Sequence, residues 1–296
     1  MHAGPPGGQR ADELVKRQSK AVGKTHMEND DDKGHNGDGD DGRRNDDDGR
    51  RDPLCIVPHM GLGDMIILNG MVRTACRSRD DVMLVAKKAY ANSMRSLFCN
   101  IPNLRLKFVE ECHELYANDF RLVHDIMAMG YELLAMGTHT TQEWRSLDPI
   151  WSRALYRQVG MDPDLMYDEF HVSRNLDREA LMLHVVHNAV GKMYVVVHDD
   201  PRRGYVIDRA CLPHGLPIVH VDDTRWRSDN IFDYAQVIDN AVQFHGFDSC
   251  FMLMADFLHL GRRNFCHAYL KDADMHDRFY RTDVTLLRTR PCRPVV

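Results

Sequence analysis

Two short stretches, one in each half of the chain, constrain the fold more than any other feature. The first is Pro58-His59-Met60-Gly61-Leu62-Gly63-Asp64-Met65-Ile66-Ile67-Leu68-Asn69-Gly70. The second is Phe247-Asp248-Ser249-Cys250-Phe251-Met252-Leu253-Met254-Ala255-Asp256-Phe257-Leu258. Each sets small or hydroxyl-bearing residues where an apolar strand turns into a helix. Such a turn presents backbone N–H groups at a helix N-terminus, which suits phosphate or another polar ligand. Two of them in one chain predict two Rossmann-like halves facing a shared cleft.

The rest of the chain alternates in the same way. Leu54–Val57 predicts a first strand, and Met65 to Cys76 a helix with Ile67, Leu68, Met71, Val72 and Ala75 at helical spacing. Val82–Ala86 is a continuous apolar run, the mark of a strand buried on both faces. A helix over Ala89–Phe98 and an alternating strand over Leu104–Val109 follow, then short apolar pieces at Phe120–Met127 and Tyr131–Ala135. A helical pattern runs from Gln142 to Val159. Beyond it the sequence predicts a helix over Asp177–Ala189, strands over Met193–Val197 and Pro217–Val221, and an amphipathic helix over Ile231–Phe244. A helix over Cys250–Leu260 and strands over Asn264–Tyr269 and Val284–Leu287 complete the pattern. Alternating strands and helices mean an α/β fold with mainly parallel sheets.

From Glu28 to Pro53 there is no apolar residue, and acids are interleaved with Gly and Arg. Such a stretch cannot bury enough surface to offset its chain entropy. Residues 1–52 are therefore read as a disordered polyampholyte tail, 53–170 as an N-terminal Rossmann-like domain and 171–296 as a C-terminal one. The tail holds ten Lys and Arg against thirteen Asp and Glu, and the whole chain carries a formal charge of −6. Neither part shows the basic excess of a nucleic-acid binder. The eight cysteines form no CxxC pair and several lie in apolar runs, which predicts free thiols in a reducing compartment. The N-terminus lacks a signal-peptide core, and no run is long enough for a membrane span. The expected location is cytoplasmic.

Gly61-Leu62-Gly63-Asp64 is a tight turn but not a dinucleotide fingerprint, because Ile66 stands where GxGxxG needs glycine. Gly23-Lys24-Thr25 is not a P-loop, because Gln18 replaces its first glycine. The glycines then serve close backbone approach. Asp64 reads either as a plain helix cap or as a carboxylate aimed into a cleft at the carboxyl edge of a sheet.

The first turn resembles the Gly-Asp motif that opens the N-terminal domain of the lipopolysaccharide heptosyltransferase-like GT-B glycosyltransferases. The second resembles that family's Asp-Ser-Gly-x-Met-His-x-Ala motif. Asp248, Ser249, Met252 and Ala255 match it, while Cys250 replaces its Gly and Leu253 its His. Gly70 stands where the family usually has Pro. The core also resembles short GT-B-like proteins encoded by large DNA viruses and some bacteria, which for a viral chain would mean the host cytoplasm.

The resemblance implies a metal-independent, inverting glycosyltransferase with no cofactor. A nucleotide-sugar donor would lie on the C-terminal domain and a glycan or other hydroxyl acceptor on the N-terminal one. Asp64 would be the general base, with His59 beside it as a contact to the reacting groups. Gly61 and Gly63 would let substrate approach. Asp248, Ser249 and Cys250 would cradle the donor at a helix N-terminus, with Arg202 and Arg203 neutralising the leaving diphosphate. Ser249 also reads as an ordinary N-cap, and Arg202 and Arg203 as a solvated loop. Asp222 and Asp223 read as a solvated turn or a ribose contact, and His245 and His267 as structural. His198-Asp199-Asp200 looks like a ligand cluster, but consecutive strand residues point to opposite faces, which argues against a metal. Two other readings stay open. One is a non-catalytic nucleotide-sugar-binding or virion-associated protein, favoured by Cys250 and Leu253. The other is a different sugar-nucleotide enzyme, an epimerase or hydrolase.

Overall fold

The computed structural model describes residues 52–58, 61–110, 120–136, 147–148, 150–200, 205–267 and 280–287. Apart from Asp52, the predicted tail lies outside these residues, as do His59, Arg202 and Arg203.

The first half is a sheet of β1 (Leu54–Val57), β2 (Val82–Lys87), β3 (Leu104–Val109) and β4 (Glu132–Ala135). Its order is β3-β2-β1-β4, and every neighbouring pair is parallel. All of β1 and residues 82–86 of β2 are buried, as expected when helices cover both faces. Arg105 and Lys107 are the exposed residues of edge strand β3. Helices α1 (Leu62–Ile67) and α2 (Asn69–Ser78) lead from β1 to β2, separated only by Leu68. They replace the single predicted helix. A 3₁₀ turn (Lys88–Tyr90) and α3 (Ala91–Leu97) lead to β3, and α4 (Phe120–Ala128) to β4.

The second half is a sheet of β5 (Val195–His198), β6 (Ile218–His220), β7 (Gln243–Phe247), β8 (Asn264–His267) and β9 (Val284–Leu287). Its order is β6-β5-β7-β8-β9, again parallel throughout. Between the sheets run α5 (Trp151–Gln158), α6 (Leu165–Asp168) and α7 (Leu176–Val190), which ends at Gly191 with φ 85°. The chain is thus α/β with two Rossmann-like parallel sheets.

Two stretches depart from the sequence reading. The helix expected from Gln142 begins at Trp151, and residues 137–146 lie outside the described ones. Asp148 accepts the Ile150 N–H at 3.0 Å and the side chains of Arg157 and Arg153 at 3.0 and 3.3 Å, so a turn stands ahead of the helix. The helix expected over Ile231–Phe244 is a 3₁₀ turn (Ile231–Tyr234) and a short α8 (Ala235–Asp239), after which the chain becomes β7. Val242 N–H bonds Tyr194 O at 2.9 Å and Phe244 N–H bonds Arg263 O at 3.0 Å, so these residues belong to the sheet.

The halves share one apolar core. A single cluster joins Ile56, Met65, Met71 and Leu84 of the first to Val196, Phe244, Met252 and Leu253 of the second. Tyr167 and Phe170 pack on Phe257 at centroid distances of 4.6 and 4.8 Å. Ser93 Oγ accepts the Ile231 N–H at 3.1 Å, and Asn230 donates to Ser96 Oγ at 3.0 Å. In helix α9 (Cys250–Phe257) the buried Asp256 accepts Arg281 N–H, Thr282 N–H and Thr282 Oγ–H at 2.9, 2.8 and 2.7 Å. One carboxylate oxygen therefore ties the segment before β9 to α9.

Candidate functional site at the two switch points

Strand order fixes where a ligand can sit. In an open parallel sheet the crevice opens at the carboxyl ends of two adjacent strands whose connections leave in opposite directions. In the first sheet those strands are β1 and β4, and the turn from β1 into α1 lies there. In the second they are β5 and β7, because β6 lies outside β5 while β8 and β9 lie outside β7. The chain leaves β5 through His198-Asp199-Asp200 and leaves β7 through Asp248-Ser249-Cys250. Both predicted corners thus fall at switch points.

The first corner is built on glycine. Gly61 N–H donates to Asp64 Oδ2 at 2.7 Å, folding the carboxylate back over the turn. A Cβ on Gly61 would stand 2.8 Å from that oxygen, so a side chain there would push the carboxylate off the turn. Gly63 faces the other half: a Cβ there would lie 2.9 Å from Leu253 Cδ1 and 3.6 Å from the Cys250 nitrogen. Helices α1 and α9 therefore pack directly, and the two corners adjoin. Burial pushes the Cys250 thiol up to about 12, and the Asp64 and Asp200 carboxylates push the same way. Cys250 stays a neutral thiol at a helix N-terminus that would otherwise favour thiolate.

The second corner holds a pair that the sequence reading did not link. Ser249 occupies the N-cap position of α9, but its side chain makes no capping bond. Its Oγ lies 3.0 Å from His198 Nδ1 at the end of β5. The His198 ring packs on Phe251 at 4.6 Å between centroids. Burial pulls its pKa down to about 4 against the opposing pull of Asp200, Asp222 and Asp199, so the imidazole is neutral at pH 7. The available signal was the register of two strand ends, His198 opposite Gly246, which a single sequence does not display.

The remaining candidates separate into neighbours with other tasks. Asp248 Oδ1 accepts the Tyr280 hydroxyl at 3.0 Å. Asp199 accepts the Ile207 N–H at 2.8 Å and pairs with His220 at 3.3 Å, while His220 bonds Arg209 at 2.9 Å. Burial raises the Asp199 carboxyl, but these partners outweigh it and hold it below the usual range. Asp223 accepts the Arg225 N–H at 2.9 Å and caps the 3₁₀ turn Thr224–Trp226. His245 and His267 bond each other at 3.1 Å inside the second sheet. Among the described residues, no three His, Cys, Asp or Glu side chains converge as metal ligands. No helix among them is long and apolar enough to cross a membrane. A cavity of about 380 Å³ lined by Arg73, Asn100 and His171 lies beside Asn103, at the amino edge of the first sheet and away from both corners.

No protein-family model matches the sequence, and no curated protein matches it. Solved structures similar to it over most of its length include two glycosyltransferases. A glycosyl transferase family 9 protein from Veillonella parvula is 11% identical with a TM-score of 0.47, over 79% of this chain and 86% of that one. TibC from enterotoxigenic E. coli, described as an iron-containing dodecameric glycosyltransferase, is 10% identical with a TM-score of 0.48, over 83% of this chain and 65% of that one.

Proposed function

We propose that this chain is a GT-B glycosyltransferase that moves a sugar from a nucleotide-sugar donor to an acceptor hydroxyl. The observation that carries the reading is the abutment of the two switch-point corners, with Gly63 of one against Cys250 and Leu253 of the other. In this reading residues 53–170 receive the acceptor and residues 171–296 the donor. Asp64 takes the acceptor proton as the hydroxyl attacks the anomeric carbon, and the nucleoside diphosphate leaves with the bonding electrons. The N–H groups that open α9 and the Ser249 hydroxyl meet the charge growing on the diphosphate. Arg202 and Arg203, beyond β5, would add positive charge, and His59 would lie beside the acceptor.

One observation favours a second reading, a nucleotide-sugar-binding protein without turnover. Leu253 is buried against Gly63, so the position where the resembled motif has histidine is filled by hydrocarbon. The experiment is titration with UDP-, GDP- and ADP-sugars, followed by a transfer assay on wild type and D64N. Binding with turnover that D64N abolishes supports the transferase. Binding without turnover selects the second reading, and no binding of any of the three rejects both.

A further inference from the structure

Ser249 gives up the bond that an N-cap serine ordinarily makes, worth about 1 kcal/mol, and bonds His198 Nδ1 instead. The histidine is firmly held. Its backbone lies in register with Gly246 of β7, and its ring rests on Phe251. Among the described residues, the charged groups acting on it are Asp200, Asp222 and Asp199.

A neutral imidazole carries one donor and one acceptor, a serine hydroxyl has one proton, and a phosphate oxygen only accepts. If Ser249 gave its proton to Nδ1, it would have none for a phosphate. If Nδ1 carries the hydrogen, the serine oxygen accepts from the ring and its own proton is free to turn to another acceptor.

We propose that His198 is a positioning residue which, through Nδ1–H, turns the Ser249 hydroxyl toward a phosphate oxygen of a nucleoside diphosphate. The inference rests on the nucleotide-sugar reading above. It makes β5 and β7 joint owners of the phosphate contact, since one strand end supplies the hydroxyl and the other its direction.

The test is calorimetric titration of the full chain with UDP, GDP and ADP. For the nucleotide that wild type binds, S249A weakens affinity by about tenfold or more, the loss of one hydrogen bond to a charged group. H198F keeps a ring against Phe251 but lacks Nδ1, and it loses the same factor. The S249A/H198F double variant loses no more than S249A alone, because both remove one linked bond. H198N, whose amide nitrogen takes the place of Nδ1–H, recovers most of the affinity. Nitrogen-15 NMR of labelled histidine shows the neutral Nδ1–H tautomer at pH 7. Wild-type affinity in H198F, additive losses, an H198N as weak as H198F, or the Nε2–H tautomer would each overturn the role of His198. Should H198F fail to fold, the tautomer and the comparison of H198N with S249A decide. A wild type that binds none of the three nucleotides removes the nucleotide-sugar reading itself, and this role with it.

Discussion

Gly63 of the first half stands bare against Leu253 of the second, and a methyl added to it would lie 2.9 Å from Leu253 Cδ1. The obstructing atom is the tip of a flexible side chain. Gly70, one helix further on, meets backbone instead: its added methyl would stand 2.0 Å from the Leu165 carbonyl oxygen. The two glycines therefore predict different outcomes. G63A costs about 1–2 kcal/mol, in the range for tolerated overpacking, and much of that cost vanishes in a G63A/L253V double variant. G70A costs more than roughly 3 kcal/mol, because helix α2 must move off α6. Urea denaturation of the four proteins checks both statements.

Asp64 combines a structural bond with its proposed chemical role, and the two can be separated. Asparagine still offers an oxygen to the Gly61 N–H but cannot take a proton. D64N should keep the wild-type unfolding midpoint and lose transfer activity by about 10²–10⁴-fold, the usual yield of a positioned base. D64A should lose the activity and in addition about 1 kcal/mol of stability. Thermal unfolding run beside the transfer assay distinguishes them.

Asp256 has no solvent exposure and accepts from three donors of the segment ahead of β9. Its replacement by alanine strands the Arg281 and Thr282 N–H groups. D256A should cost about 3–5 kcal/mol, the range for breaking a buried network. Limited proteolysis should then cut near Arg281, while wild type resists. Uncut D256A of native stability would show that the segment is held by its strand pairing alone.

Acid should loosen the second sheet before the carboxylates titrate. Burial pulls His245, His267 and His198 down to about 4, and the His245–His267 pair adds mutual repulsion when charged. In the unfolded chain each titrates near 6.5. Between these values the unfolded state binds more protons, so stability is full above about pH 6.5 and falls as pH drops toward 4. The slope is up to about 1.4 kcal/mol per pH unit for each histidine. Denaturation curves at a series of pH values should show this slope, flattened in an H245F/H267F variant.

The sequence displayed the fold where side-chain chemistry and backbone role agree. Val82–Ala86 is apolar because both faces of β2 are covered, and it reads as a strand without help. The central strand β7 is the reverse case. Gln243, His245 and Gly246 are poor strand formers, and the residues before them continue a helical rhythm. Glycine suits position 246 because a side chain there would crowd Phe244 and Met252, at 3.2 and 3.3 Å. His245 is tolerated because His267 and Gln243 satisfy it at 3.1 and 2.9 Å. Met252 comes from α9 and His267 from β8, so both reasons appear only once the chain is folded. The same holds at the site: the glycine turn and Asp248-Ser249 announced themselves as local motifs, whereas the Ser249–His198 bond exists only once β5 and β7 are side by side.

The shared core has a bearing on how such a molecule can be divided. Leu62 and Met65 on one side, with Leu253 and Met252 on the other, cover each other. Cutting the polypeptide between the sheets would leave each fragment with a greasy scar where its neighbour had been. Expressed singly, either piece should clump or cling to chaperones, and co-expression should bring them back together as a soluble pair.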